Sequence, residues 1–413
     1  MTQRLSSEGS NSALCNVIAQ QVANSPNQRI TFADYMDLAL YHPQQGYYST
    51  RAITIGAQGD FFTSPHLGSD FGELLAEQFV DMWRSLGQPS PFTLLEMGAG
   101  QGILATDILQ YLQQQYPDFF QIIEYVVVER SPTLRLQQQQ RLRSHKHIAE
   151  STSIRWCTWD EIPADSIVGC CFSNELVDAF PVHQVVLTEG ELREVYVTLT
   201  SSSSAPDAIP DTIQFAEALG ELSTTQLTEY FDLVGIPLLS GPYPEGYRTE
   251  VNLAALSWLQ TVADRLQHGY LLTIDYGYPA TRYYSPVRSE GTLQCYYQHR
   301  YHNNPYLYVG HQDITAHVDF TALERQGDRC GLKQVGLIQQ GLFLMALGLG
   351  DRIAAISHTD LSQPGQSLQT LLARRETLHA LASPMGLGNF NVLIQSKGLG
   401  SAEQQKTLRG LSF

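Results

Sequence analysis

An acidic residue followed by three closely spaced glycines is the part of this sequence best suited to hold a small ligand. Glu96 precedes Gly98, Gly100 and Gly102. Glycines at such a spacing let the chain turn sharply and let a ligand approach the backbone closely. An apolar run, 92–97, comes before them, and apolar residues recur at helical spacing after them. Strand, glycine turn and helix in this order predict the first unit of a nucleotide-binding α/β domain.

The spacing of the glycines argues against two common phosphate-binding motifs. In the dinucleotide fingerprint G-x-G-x-x-G, the third glycine would stand where this chain has Ile103. A P-loop would need Lys and then Ser or Thr after its last glycine, and neither follows Gly102. An acid-x-Gly-x-Gly-x-Gly pattern at a strand end remains, and a glycine turn in some other α/β protein is the alternative.

Acidic residues are also predicted at the ends of two further strands. Glu129 ends a β-branched run, and at the tip of a second strand it could accept both hydroxyls of a ribose. Glu175 and Asp178 follow another apolar run, next to Asn174. Two carboxylates three positions apart share a face if the segment is helical, and they could hold a guanidinium by bidentate hydrogen bonds. The alternatives are a solvated charge at Glu129 and a cap or a solvated charge at Asp178.

His317 and Asp319 form a later group, with Asp313 nearby. The histidine could be a base or could orient a substrate, or it could be a structural residue bonded to a neighbouring carboxylate. A metal site is a third interpretation, but no H-E-x-x-H motif or cysteine pair supports it, so no metal is predicted.

Alternating strands and helices are predicted around these residues, which is typical of a parallel sheet in an α/β protein. The predicted strands are 92–97, 125–129, 154–158, 166–175 and 270–275, and the apolar segment 390–396 suits a last strand. Thr31 is a predicted N-cap of a short helix, and apolar residues from Asp70 onward form one stripe of a longer helix.

The chain has 413 residues, more than one compact α/β core needs, so we expect several regions. The interruption of the strand–helix alternation contains a predicted hairpin that turns at Glu189 and Gly190, and a loop at 201–204. The predicted regions are an N-terminal helical region covering the core (1–90), the α/β core (91–181 and 248–400), an inserted subdomain (182–247) and a C-terminal tail (401–413).

Composition and charge narrow the function classes. Hydrophobic residues make up 43% of the chain and charged residues 16%, which indicates a globular protein. The formal net charge is −16 with only 25 Lys and Arg, which argues against nucleic acid as a partner. No apolar run is long enough to cross a membrane, so no membrane insertion is predicted. No signal or transit pattern is evident, so a cytoplasmic location is predicted.

A series of short motifs lies between residues 30 and 320, and each motif occurs once. They are found at 35–36, 39–43, 46–48, 59–61, 63–65, 71–73, 96–102, 174–175, 178–181, 250–252, 275–277, 291–293 and 313–320. In combination they resemble the MidA family of class I S-adenosylmethionine-dependent methyltransferases, which includes the mitochondrial complex I assembly methyltransferase. The chain departs from the family at His66, where members often carry Glu.

The resemblance implies a Rossmann-like class I methyltransferase: a mostly parallel seven-stranded sheet, an inserted subdomain and N-terminal helical elements. It implies that S-adenosylmethionine is the cofactor and that the glycine loop wraps its methionine part and ribose. Glu96 would lie near the amino end of the methionine part, and Glu129 and Asn174 complete the predicted cofactor-binding set.

The resemblance also implies a protein substrate, an arginine side chain in a subunit of respiratory complex I. Glu175 and Asp178 would orient the guanidinium, and His317 and Asp319 are the next candidates to relay its proton. Two alternatives remain open: a non-catalytic assembly chaperone that keeps the fold as a binding module, and a small-molecule methyltransferase. A homodimer is one possible state.

Overall fold

The computed structural model describes residues 9–50, 64–145, 147, 152–200, 213–357 and 368–412. The motif residues 59–61 and 63, and the predicted loop 201–204, lie outside these ranges.

Helices and strands alternate through most of the described chain. The helices are α1 (Ser12–Asn24), α2 (Phe32–Tyr41), α3 (Tyr47–Thr50), α4 (Asp70–Ser85), α5 (Ile103–Gln115), α6 (Pro117–Phe120), α7 (Pro132–Ser144), α8 (Gln226–Val234), α9 (Leu253–Arg265), α10 (Ala280–Tyr283), α11 (Phe320–Arg329), α12 (Gln340–Leu347), α13 (Leu349–Ser357), α14 (Leu368–Ala382) and α15 (Ser401–Gln404). The strands are β1 (Ile30–Thr31), β2 (Phe92–Met97), β3 (Ile123–Val128), β4 (Ser153–Cys157), β5 (Ile167–Asn174), β6 (His183–Thr188), β7 (Glu191–Leu199), β8 (Phe215–Gly220), β9 (Arg248–Val251), β10 (Leu266–Asp275), β11 (Gly277–Tyr278), β12 (Gln294–Tyr297), β13 (Arg300–His302), β14 (Asp313–Thr315), β15 (Val318–Asp319), β16 (Lys333–Gln339) and β17 (Asn391–Lys397).

The largest sheet has seven strands in the order β16-β17-β10-β5-β2-β3-β4. Each of the neighbouring pairs from β10 to β4 is parallel. The prediction that the segment 390–396 forms a last strand is confirmed by β17, which is antiparallel to both β10 and β16. The first four predicted strands are β2 to β5 with small differences at their ends, whereas the fifth begins earlier than predicted, at Leu266.

Helices pack on both faces of this sheet, because apolar side chains of β2 point to both faces. Leu94 and Leu95 are each fully buried, but they belong to different hydrophobic clusters. Successive side chains of a strand point to opposite faces, and a parallel sheet with helices on both faces buries them all. Phe79 of α4 lies in the cluster on one face, and Leu259 of α9 lies in the cluster on the other.

A second sheet of five strands combines β1, β6, β7, β8 and β9. The predicted hairpin is β6 and β7, and Glu189 and Gly190 at its turn both have positive φ, 53° and 77°. Helix α2 begins with the predicted cap, since the Thr31 side chain accepts the N–H of Asp34 and Asp34 completes a capping box. Side chains of α1, α2 and β7 share one buried cluster with Ile314, so the N-terminal helices pack mainly on this second sheet.

Helix α4, by contrast, belongs to the core of the seven-stranded sheet, so the N-terminal region serves both cores. The boundaries at 90/91, 181/182, 247/248 and 400/401 stay a prediction. Within the described ranges, no helix combines the length and the apolar character needed to cross a bilayer.

Candidate active site

The glycine loop joins β2 to α5 at the carboxyl end of the central parallel strand. Gly98, Gly100 and Gly102 all have left-handed φ values, 69°, 51° and 75°. A Cβ on Gly98 would lie 2.7 Å from the Cδ1 of Leu176, so the loop passes close to the segment that follows β5. A Cβ on Gly100 would have no described atom within 4 Å, so this backbone borders open space that a ligand can fill.

A cleft opens over this loop at the carboxyl ends of β2, β3 and β5. All six predicted cofactor residues except Gly102 line it, together with Glu175 of the predicted acceptor pair. Its walls are Tyr41, Tyr48, Pro65, His66, Glu96, Gly98, Ala99, Gly100, Gln101, Ile103, Leu104, Glu129, Arg130, Ser131, Leu134, Asn174, Glu175, Leu176 and Ala179. Ligands of open α/β sheets bind at this edge of the sheet, so the cleft lies where the sequence predicted the cofactor site.

Glu96 is a buried carboxyl group on the floor of the cleft, with only 3% of its surface exposed. The Tyr125 hydroxyl donates to its Oε2 at 2.7 Å. Burial raises the pKa of Glu96 to about 7, and Glu129 adds to the rise. A cationic ligand would favour the ionised form, which suits the predicted position beside an ammonium group.

Glu129 follows β3, and neighbouring groups fix its carboxylate. Its Oε1 accepts the Ser131 N–H at 2.8 Å, and its Oε2 accepts the Gln138 amide at 2.9 Å. The same amide nitrogen donates to the carbonyl oxygen of Gly100 at 2.9 Å. Gln138 thus ties the two halves of the predicted cofactor site together. Sequence reasoning missed it, since nothing distinguishes it from the neighbouring glutamines of α7.

Asn174 and Glu175 stand at the end of β5. Glu175 has a φ of 51°, which is costly for a residue with a side chain and turns the chain sharply at this point. Its Oε1 accepts the Asn174 amide at 3.0 Å and the Ser64 N–H at 3.3 Å. Burial raises the pKa of Glu175 to about 8, with a further contribution from Asp178. The Oδ1 of Asn174 is buried and has no hydrogen-bond partner among the described residues.

Asp178 lies in the 3-10 turn Val177–Ala179 and is 6% exposed, so it is neither a helix cap nor a solvated charge. Its Oδ1 is buried without a hydrogen-bond partner in the described ranges. Burial raises the pKa of Asp178, and the hydroxyl of Tyr276 opposes that rise. The segment after β5 is a single turn and not a helix, and the backbone N–H groups of the turn are held by Asp275. Sequence reasoning did not assign a role to Asp275 or Tyr276.

The acidic groups of the site have no counter-ion within the described part of the chain. Among the described residues, no Lys, Arg or His forms an ion pair with Glu96, Glu129, Glu175 or Asp178. A buried carboxylate without a partner is costly, whereas a buried carboxylate that receives a cation from a ligand is not. The site is therefore built to accept positive charge.

His317 and Asp319 do not line the cleft, and each makes its contacts elsewhere. Asp319 caps α11, where its Oδ1 accepts the N–H groups of Thr321 and Ala322, and its Oδ2 accepts the Tyr230 hydroxyl at 3.1 Å. These bonds give Asp319 a structural part and argue against its predicted use as a proton relay. No group of three or more potential metal ligands is found in the part of the chain that the structure describes.

His317 is an uncharged ring packed between tyrosines. It stacks on Tyr278 with 5.1 Å between ring centroids and packs edge-on against Tyr276 at the same distance. Burial lowers the pKa of His317 to about 4. Its Nδ1 is buried and has no described hydrogen-bond partner, so the carboxylate bond of the structural alternative is not seen at this atom. Tyr276 separates the ring from Asp178, which leaves His317 beside the acceptor pair but not in contact with the cleft.

The chemistry of the cleft fits S-adenosylmethionine. Open space over Gly100 admits a ligand, Glu96 suits an ammonium group, and Glu129 can accept from hydroxyls. The buried Oδ1 of Asn174 has no hydrogen-bond partner among the described residues, and a ligand N–H could provide one. A family model for S-adenosyl-L-methionine-dependent methyltransferases matches residues 74–338.

The chain belongs to this methyltransferase family. It is 32% identical over 339 residues to the "Protein arginine methyltransferase NDUFAF7 homolog, mitochondrial" of Drosophila melanogaster, covering 77% of this chain and 71% of that protein. It is 28% identical over 405 residues to the human "Protein arginine methyltransferase NDUFAF7, mitochondrial", covering 92% of this chain and 83% of that protein. A crystal structure of a Burkholderia thailandensis protein bound to S-adenosyl-homocysteine superposes with a TM-score of 0.80, at 28% identity, over 97% of this chain and 94% of that chain.

Two consequences follow for this methyltransferase. The α/β class I fold, the enzyme class and the S-adenosylmethionine cofactor that the motifs predicted are confirmed by the family match and by the similar structure with bound product. The prediction of a cytoplasmic location is wrong by the same comparisons, because the curated relatives are named as mitochondrial proteins.

Proposed function

We propose that this methyltransferase modifies an arginine side chain of a protein, in a subunit of the respiratory complex I type. The related Drosophila and human proteins are named protein arginine methyltransferases, which supports this substrate class. The resemblance to the complex I assembly methyltransferase supports the identity of the target.

One observation carries the proposal: Glu175 lines the cleft beside the glycine loop, the buried Asp178 lies near it, and no described Lys, Arg or His forms an ion pair with either carboxyl group. A guanidinium carries one delocalised positive charge and several N–H donors in a plane, so a carboxylate pair can bind and orient it. The buried Oδ1 of Asp178, which has no described hydrogen-bond partner, would then accept a hydrogen bond from the substrate.

Arginine chemistry explains why the site uses carboxylates. A guanidinium remains protonated at neutral pH, and its attacking nitrogen must lose a proton around the time the new bond forms. Glu175 and Asp178 concentrate the positive charge on the nitrogens that face them and hold the remaining nitrogen in line for attack. S-adenosylmethionine supplies the electrophilic methyl group when it is bound.

The other residues have supporting parts in this proposal. Glu96, the three glycines, Glu129 and Asn174 would hold the cofactor, and Glu175 lines the same cleft. His317 stays uncharged and fixes the ring of Tyr276, whose hydroxyl faces Asp178. It is therefore a positioning residue and not a base, and Asp319 has no part in the transfer.

Two measurements on the purified chain test the proposal. Calorimetry with S-adenosylhomocysteine should show binding, and labelled S-adenosylmethionine should transfer its methyl group to an arginine of a complex I type subunit. Transfer to lysine or to a small molecule would reject the arginine assignment. Cofactor binding with no transfer to any protein partner would support the assembly chaperone instead.

A further inference from the structure

Two arginines lie against one tyrosine ring beside the proposed acceptor site. Tyr278 ends the short strand β11, just after Asp275 and Tyr276. The guanidinium carbon of Arg282 lies 4.3 Å from the centre of its ring, and that of Arg288 lies 4.5 Å away. Cation–π attraction at such distances holds both cations in place. We name this group the Tyr278 patch: Tyr278, Arg282 and Arg288.

The positive charge of the Tyr278 patch is not balanced within the described chain. Neither Arg282 nor Arg288 forms an ion pair with a described carboxylate. Two like charges near one ring repel each other, so an anion bound between them is favoured. The formal net charge of the protein is −16, so two neighbouring arginines without a described ion pair are a local exception to its acidic character.

The two arginines are held in different ways. The Nη1 of Arg288 donates to the carbonyl oxygens of Arg282 and Tyr283, at 2.7 and 3.1 Å, so its guanidinium is fixed. Arg282 is exposed on α10, and its guanidinium is held by the Tyr278 ring. A guanidinium held in this way keeps most of its N–H groups available, and its planar fork matches a carboxylate.

The Tyr278 patch adjoins the acceptor site through two aromatic rings. Tyr278 stacks on His317, and His317 packs edge-on against Tyr276, whose hydroxyl faces Asp178. The backbone reinforces the connection, because the Ala316 N–H donates to the carbonyl oxygen of Asp178 at 2.9 Å. Two ring contacts of 5.1 Å each thus link Tyr276 to Tyr278, a separation that an extended chain, at about 3.3 Å per residue, covers in a few residues.

We propose that the Tyr278 patch is a subsite for a carboxylate side chain of the protein substrate. The inference rests on the proposed arginine methylation and extends it to sequence selectivity. Acidic groups at Glu175 and Asp178 bind the arginine, and basic groups at Arg282 and Arg288 bind an Asp or Glu near it. Two subsites of opposite charge fix the direction in which a bound peptide runs. The acidic pair Glu175 and Asp178 alone would not fix it.

Fluorescence anisotropy tests the subsite on the full chain in the presence of S-adenosylhomocysteine. The probes are short labelled peptides with one central arginine and one glutamate at a single flanking position, each paired with a peptide that has glutamine there. We expect wild type to bind at least one glutamate peptide about tenfold more tightly than its glutamine partner at low salt, and the ratio to fall as salt is added.

Three variants make the test specific. Arg282→Gln should bring the glutamate-to-glutamine ratio close to one, because the exposed Arg282 is replaced without loss of a described hydrogen bond. Arg282→Glu should prefer lysine at the position where wild type prefers glutamate. Arg143→Gln is the matched control, since Arg143 is an exposed arginine in the last turn of α7, and it should keep the wild-type ratio.

The outcomes separate the subsite from the proposed function. Equal binding of glutamate and glutamine peptides by wild type, or an unchanged preference in Arg282→Gln, overturns the subsite. Peptides with phosphoserine at the same position are measured as well, and a preference for phosphoserine with none for glutamate also overturns the subsite. Methyl transfer to the same peptides is measured in parallel: glutamate-selective binding without arginine methylation counts against the proposed function alone, and methylation without selectivity counts against the subsite alone.

Discussion

The carboxylate of Asp275 accepts the backbone N–H of Val177 at 2.9 Å. The same oxygen accepts the N–H groups of Leu176 and Asp178, at 3.2 and 3.3 Å. Asp275 ends β10, whereas the segment from Glu175 onward follows β5, the adjacent parallel strand. A carboxylate at one strand end thus shapes the turn after its neighbour, and that turn carries both proposed acceptor groups.

We predict that Asp275→Ala lowers both stability and methyl transfer. Three N–H groups, two of them in buried hydrogen bonds, would lose their acceptor. An unsatisfied buried group costs about 1–3 kcal/mol, so the free energy of unfolding should fall by roughly 2 kcal/mol or more. Methyl transfer should fall further than the affinity for S-adenosylhomocysteine. Urea unfolding, calorimetry and the transfer assay measure these three quantities. Asp160→Ala, at an exposed aspartate, is the control, and an equal effect in both variants would contradict the prediction.

Glu175→Gln should separate cofactor binding from transfer. The change removes a charge with little change in shape, so the affinity for S-adenosylhomocysteine should stay within about threefold. Methyl transfer should fall about a hundredfold or more, the scale of a lost acid–base or orienting group. Glu191→Gln, at the exposed first residue of β7, should match wild type. Normal transfer in Glu175→Gln would exclude Glu175 as the guanidinium partner, and loss of cofactor binding would place it in the cofactor site.

The ionisation of Glu175 should also make stability depend on pH. Burial raises the pKa of Glu175 from 4.5 to about 8, so between these values the folded chain binds more protons than the unfolded chain. Its contribution to the free energy of unfolding therefore falls as pH rises through this window. Urea unfolding of cofactor-free protein at a series of pH values should show a steeper fall in wild type than in Glu175→Gln. The same slope in both proteins would show that Glu175 ionises without cost.

Gly100→Val should abolish cofactor binding while the fold survives. Gly100 has a φ of 51° and borders open space, so a side chain would enter the volume that the cofactor needs. Gly190→Val is a matched control, because Gly190 also has positive φ and no described atom within 4 Å of an added Cβ, at the turn between β6 and β7. Both variants should lose about 1–2 kcal/mol of stability to the strained backbone.

Calorimetry with S-adenosylhomocysteine then distinguishes the two glycine positions. Binding should be lost in Gly100→Val and kept in Gly190→Val. Equal binding by the two variants would mean that the loop at Gly100 is not the cofactor cradle.

Gln138→Ala should weaken the binding of the cofactor and leave the acceptor residues Glu175 and Asp178 unchanged. The amide of Gln138 bridges Gly100 and Glu129, and its Oε1 accepts the indole N–H of Trp156 at 3.0 Å. Loss of a buried group of this kind costs about 1–3 kcal/mol, so we expect the affinity for S-adenosylhomocysteine to fall about tenfold. Transfer at saturating cofactor should remain close to wild type. Gln140→Ala, at an exposed glutamine of the same helix, is the control, and a drop in saturated transfer alone would contradict this role.

The local elements of this protein were determined by neighbouring residues, and the sequence alone was sufficient for them. The run 92–97 became β2 because most of its side chains are apolar, and the glycines after it adopt positive φ because only glycine does so at little cost. The turn at Glu189 and Gly190 and the cap at Thr31 depend on side chains within a few positions. Glu129 was found in the same way, because an acid that ends a strand of a parallel sheet lies at the ligand-binding edge.

Contacts between distant segments were decided by the tertiary structure. Asp275 reaches a turn almost a hundred positions earlier in the chain, and Glu175 accepts from Ser64 across 111 positions. Periodicity describes which face of an element is apolar, but it does not say which buried polar groups will meet once several elements pack together. Gln138 and Asp275 were missed for this reason. His317 and Asp319, two positions apart, received different surroundings because Asp319 caps a helix while His317 packs between tyrosine rings.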